Sequence, residues 1–178
     1  MSKWHIEQRR EDPTSQDITT FLCHKDRGDI MSDCLLEYED RKPFFDAGPC
    51  GSIVIGGLGL GIIIEELLDE ECVNDISVIE IDQEVIDLIS YKFEDEDRVT
   101  IYKGDARNFD ISQLSNMPDF VYLDIWDDDL GTSYQDRLDA FNYWMQQCEK
   151  CSNNKTVFVW AFDRSKRHAE KRVARNHK

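Results

Sequence analysis

The 178 residues are the length of one ordinary domain, and a hydrophobic fraction of 40% suffices for one sizeable core. A formal net charge of -16 repels nucleic acid in bulk and argues against a non-specific nucleic-acid binder. No apolar run approaches the roughly 18 residues that cross a membrane, and the polar start MSKWHIEQRREDPTSQD lacks the apolar core of a signal peptide; a cytoplasmic protein without a membrane partner is expected.

The opening stretch, to about Gln16, reads as disordered or loosely attached. Residues 17–42 are mixed, with an apolar patch at 18–23 and a helix expected to end before Pro43. Gly48-Pro49-Cys50-Gly51 punctuates as a turn. Residues 1–51 are thus expected to be an N-terminal extension with one short helical segment.

From Ser52 the pattern becomes regular. A β-branched run at 52–55 reads as a buried strand and 62–68 as a buried helix. Further strands are expected at 76–81, 99–103, 120–125 and 156–161. Helices are expected at 84–91, after the N-cap residue Asp82, and at 133–150. Strands alternating with helical crossovers define an α/β fold, a doubly wound sheet of about five mainly parallel strands over residues 52–162. Residues 163–178 read as a basic helix: 164–178 carry net +6, leaving -22 on the rest. That tail is either a solvated helix end or a surface that docks on a domain, a partner or a phosphate.

In such sheets ligands bind beyond the carboxyl ends of the strands. The first strand runs into Gly57, Gly59 and Gly61, a GxGxG spacing. A dinucleotide fingerprint, GxGxxG, would need glycine at Ile62 or Ile64 instead. The second strand ends at Glu80, placed to accept both hydroxyls of a ribose. Asp82 serves equally as a second ribose ligand or as a helix cap, and Ile81 is placed to pack on an adenine face. The third strand leads into Gly104-Asp105-Ala106, where Asp105 suits the amine of an adenine. The fourth ends Asp124-Ile125-Trp126-Asp127-Asp128-Asp129. Acids this dense repel one another and suit a general base or a cationic substrate. Asp128 and Asp129 read as a solvated loop. Trp126 either walls a cation site or packs in the core.

Six cysteines without other signs of secretion are expected to be reduced thiols. Cys148 and Cys151 form a lone CxxC and Cys23 sits beside His24. A zinc site needs two matching half-sites, so no metal is expected.

Together these motifs resemble the core of spermidine synthases and related class I S-adenosylmethionine-dependent methyltransferases. IGGLGLG, VIEID, the GDA after the third strand and a DxxD after the fourth carry the likeness over residues 52–127. A group of small bacterial and phage methyltransferase-like proteins is similar over more of the chain: Met31-Ser32-Asp33, Glu37 and Arg41 precede the loop, and Asp124-Ile125-Trp126-Asp127 follows the fourth strand. The resemblance implies a Rossmann-like, truncated class I methyltransferase fold with S-adenosylmethionine as cofactor. Gly57, Gly59, Gly61, Glu80, Ile81, Asp105 and Ala106 would bind that cofactor, with Glu80 on the ribose and Asp105 on the adenine. Asp124 and Asp127 would be the catalytic acids.

Departures from the spermidine synthases are visible. There is no room for their full N-terminal β-hairpin domain before Ser52, and Asp128 stands where their proline follows the second acid. The chain also ends after the fifth strand, so a partner or a second copy would complete the pocket, or the pocket is open. An (N/D)PP-aromatic motif is absent after the fourth strand, and the only Pro-Cys pair, Pro49-Cys50, lies before the first. Methyl transfer to an unidentified acceptor, a small molecule or a protein group, is expected; the acids after the fourth strand suit a cationic small molecule among these. Aminopropyl transfer, or cofactor binding without catalysis, is the alternative.

Overall fold

The computed structural model describes residues 2–10, 17–126, 134–149 and 156–159. Its elements run β1 (Trp4–Arg9), β2 (Thr19–His24), β3 (Gly28–Ser32), α1 (Leu35–Asp46), β4 (Gly51–Gly56), α2 (Ile62–Leu68), β5 (Val73–Glu80), α3 (Gln83–Ile89), β6 (Val99–Lys103), β7 (Phe120–Leu123), α4 (Tyr134–Glu149) and β8 (Thr156–Val159). The last five strands form one sheet in the order β6-β5-β4-β7-β8. Every pairing in it is parallel. The chain winds outward from β4 through β5 to β6, then returns to the other side of β4. The reversal between β4 and β7 is where an open α/β sheet opens its ligand crevice.

Both faces of this sheet are covered, which is why its strands read as near-continuous apolar runs. Ile53 and Ile55 of β4 face a layer holding Phe44 of α1, Ile64 and Leu67 of α2, and Val85 and Ile89 of α3. Val54, between them, faces Ala140 and Trp144 of α4 on the other side. Trp144 is fully buried and its indole N–H donates to the Ala106 carbonyl at 2.7 Å.

The N-terminal region departs from expectation. Instead of a loose tail, residues 4–9 form β1, and β1-β2-β3 make a three-stranded antiparallel sheet. The polar composition of β1 conceals this because that strand is buried at Trp4 and otherwise largely exposed. Trp4 and Leu22 point into the main core, whereas His5 and Glu7 face solvent. There is therefore room for a small β-sheet before Ser52. Helix α1 also passes through Pro43 rather than stopping before it. Proline removes one hydrogen bond near the helix end; one turn more places Phe44, 1% exposed, against Tyr122 and Phe158. Helix α3 is shorter than expected, closing as a 3-10 turn over Ser90–Phe93. Among the described residues, no helix is long and apolar enough to cross a membrane.

Candidate active site

A cavity of about 340 Å³ opens at the carboxyl edge of the parallel sheet, within the range of small-molecule sites. Gly57 and Gly59 after β4, Glu80 at the end of β5 and Ile81 after it, Asp105 and Ala106 after β6, and Asp124 after β7 all line it. Four strand ends thus bring most of the expected residues into one wall. Gly61 is not among the lining residues; it caps α2 against the Phe93 ring. Asp127 lies outside the described residues, as do Cys151, Asp128, Asp129 and the basic tail.

Glu80 is 8% exposed. Its two oxygens accept from the Leu58 N–H at 2.9 Å and the Asp82 N–H at 2.7 Å. The carboxylate thereby fastens the glycine loop to the tip of β5 and keeps further acceptor capacity on each oxygen. Burial pushes the Glu80 carboxyl above its ordinary range, against the pull of the Leu58, Asp82 and Ile81 amides. Ile81 is 59% exposed, an apolar side chain standing in the cavity wall.

The glycines answer first to the protein's own packing. Gly57 has φ +92°, and a Cβ there would drive into the Asp124 carbonyl oxygen. Gly59 has φ +51°, and a Cβ there would meet the Met31 sulfur. That sulfur accepts from the Leu60 N–H at 3.4 Å. Strand β7 and the N-terminal sheet therefore press on the loop from two sides.

Asp105 is held by Arg107. The guanidinium donates to both carboxylate oxygens at 2.6–3.0 Å, and the Arg107 amide adds a fourth bond at 3.0 Å. This clamp, against some burial, holds the Asp105 carboxyl below the usual range. The Ala106 methyl is buried and packs under Gly56. Trp126 is 8% exposed, lines the cavity, and takes the Arg137 guanidinium at 4.9 Å from its ring centre. The packing role foreseen for Trp126 is met, and the cation over its ring is the protein's own Arg137.

The sequence reading missed the wall contributed by the N-terminal sheet. Trp4, Arg27 and Met31 line the cavity, as do Arg107 and Asp136. The Trp4 indole N–H donates to Asp82 at 2.8 Å, and that carboxylate also caps α3 through the Glu84 N–H at 2.9 Å. Burial raises the Asp82 carboxyl, but these two donors outweigh it and hold it below its ordinary value. Glu84 in turn accepts from the Ser2 hydroxyl and the Lys3 amide. The available signal was the turn Lys25-Asp26-Arg27-Gly28 between two β-prone stretches, with Gly28 at φ +80°.

A parallel α/β sheet with reversed strand order, a glycine loop and carboxylates at successive strand ends define a Rossmann-like fold of the type that methyltransferases share. The model of the spermine/spermidine synthase domain family matches residues 44–173, and the chain belongs to that family. No curated protein matches the chain. Among solved structures, the CcbJ methyltransferase from Streptomyces caelestis is similar in fold, with TM-score 0.50 and 17% identity over 67% of this chain and 47% of that one. A spermidine synthase in complex with the transition state analogue AdoDATO aligns at TM-score 0.46 and 16% identity, over 84% of this chain and 52% of that one. The N-methyltransferase NodS from Bradyrhizobium japonicum, in complex with S-adenosyl-L-homocysteine, aligns at 0.48 and 15%, over 65% and 58%. The chain thus spans about half the length of these structures.

Proposed function

We propose that the cavity binds S-adenosylmethionine and that the protein transfers its methyl group to a small cationic acceptor. The observation carrying this reading is the convergence of Gly57, Glu80, Asp105 and Asp124 from four strand ends on one cavity. Glu80, already anchored by two amides, accepts the ribose hydroxyls with its remaining lone pairs. Ile81 packs on the adenine and Asp105, oriented by Arg107, accepts from its amine. The Arg27 guanidinium in the wall favours a ligand bearing a carboxylate.

In-line displacement at a sulfonium carbon depends on positioning and on exclusion of water. Trp4, Ile125 and Trp126 supply the apolar wall, and Asp124 orients the acceptor and takes its proton. A second reading, aminopropyl transfer from decarboxylated S-adenosylmethionine, draws on membership of the spermine/spermidine synthase domain family.

Calorimetric titration with both donors and with S-adenosylhomocysteine tests the proposal. S-adenosylmethionine and S-adenosylhomocysteine should bind, and Glu80→Ala should weaken both by on the order of a hundredfold, the loss of a buried hydrogen-bonding carboxylate. Asp124→Asn should bind normally and lose turnover in a screen of amine acceptors. Preference for the decarboxylated donor would establish the second reading instead, and no binding of any of the three would refute both.

A further inference from the structure

The face of the N-terminal sheet turned away from the cavity carries a cluster used by none of the above. His5 and Cys23 are direct cross-strand partners, and Glu7 lies two residues along β1 on the same face. The ligating atoms of His5, Glu7 and Cys23 all lie within 4.8 Å of one another. Adjacent ligand atoms of a tetrahedral zinc ion stand roughly 3.5 Å apart, given metal–ligand bonds of about 2.0–2.3 Å. His5 and Glu7 are exposed, so small rotations of their side chains close that gap.

We propose that His5, Glu7 and Cys23 form a zinc site that clasps β1 to β2. The donor set of one imidazole nitrogen, one thiolate and one carboxylate oxygen suits zinc rather than magnesium or calcium, which take oxygen. Solvent fills the fourth position. Binding transfers the Cys23 proton to water as the sulfur–metal bond forms.

The charges around the cluster balance a divalent ion. On β3, Asp29 faces Cys23, with the sulfur 3.4 Å from its carboxylate. Arg9 pairs with both Glu7 and Asp29 and lies 3.8 Å over the Phe21 ring. A thiolate, two carboxylates and one guanidinium sum to -2, which one divalent cation cancels. Cys23 itself is only 4% exposed, so its sulfur is fixed in place beneath the site.

Adjacency in sequence points elsewhere. His24, next to Cys23, faces the other side and stacks edge-on against Trp4 at 4.9 Å. That reversal gives the site its reach. The clasp holds His5, whose chain neighbour Trp4 reaches Asp82 and lines the cavity. Metal binding on the outer face therefore steadies the cavity wall on the inner one.

The test uses the full-length protein under reducing conditions, titrated with zinc against a chromophoric chelator and with cobalt(II) as a spectroscopic probe. One equivalent should bind, with a thiolate-to-cobalt charge-transfer band. Cys23→Ser should abolish the band. His5→Ala and Glu7→Ala, both at exposed positions that leave the fold intact, should each weaken zinc binding on the order of tenfold or more. Zinc should raise the melting temperature of wild type and not of His5→Ala. Cys148→Ser should change none of this. A band that survives Cys23→Ser, equal zinc affinity in wild type and His5→Ala, or loss of binding in Cys148→Ser would overturn the proposal.

Discussion

At the scale of single residues, the glycine loop shows how one residue type meets two demands. Glycines at 57 and 59 are compelled by what presses on them as well as by what they leave open. The obstacles differ in kind, and so should the consequences. Gly57→Ala meets a backbone carbonyl that cannot move alone and should cost about 3 kcal/mol or more in urea unfolding. Gly59→Ala meets a flexible thioether, and Gly59→Ala with Met31→Ala should leave chiefly the left-handed backbone cost of about 1–2 kcal/mol relative to Met31→Ala alone. Asp82 adds a pH dependence. Its carboxyl is held below the ordinary 3.8, so the folded state favours the ionised form. The resulting stability is present above that value and is lost as pH falls below it. The indole N–H resonance of Trp4 should accordingly hold its position through neutral and mildly acidic pH and move only below the usual aspartate range. Most of these residues were legible in the sequence, since strand-end carboxylates and a GxGxG spacing are local patterns. The Arg107 clamp on Asp105 and the cavity-facing Arg27 were not, because a surface arginine has no pattern of its own.

At the scale of elements, the difference lies in how many faces are buried. The β4, β5, β6, β7 and β8 strands have apolar residues packed on both sides of the sheet and stand out as short apolar stretches. Strand β1 is covered on one side, and its sequence WHIEQR is mostly polar. The sheet it joins is anchored through Trp4 to Asp82 and through Ser2 and Lys3 to Glu84. Trp4→Phe keeps the ring and deletes the donor, and it should cost about 1–1.5 kcal/mol, the low end for a bond to a charged and partly exposed carboxylate. Removal of residues 1–10 should leave the far-ultraviolet signal of the parallel sheet largely intact. It should weaken S-adenosylhomocysteine binding on the order of tenfold by opening one wall of the cavity. The helix α1 boundary was misjudged for a related reason: the burial of Phe44 outweighs a local proline penalty, and burial is a property of the fold.

At the scale of the whole molecule, a charge of -16 is a standing self-repulsion. Moderate salt should raise the melting temperature by screening it, with most of the gain reached once the Debye length falls to about 10 Å near 0.1 M. Fold class was readable from the order of the elements. The acceptor was not, since the stretch after β7 that would meet it carries acids but no signature of a particular substrate. The bond from Trp4 to Asp82 spans 78 residues of sequence. On the ribosome, β1 therefore emerges long before its docking site does. At roughly 5–20 residues per second the nascent ribbon of β1, β2 and β3 waits on the order of 4–16 seconds for that partner. Before docking and after it β1 is the edge of its sheet, and Glu7 and Arg9 along it are the charges that discourage pairing with neighbouring chains.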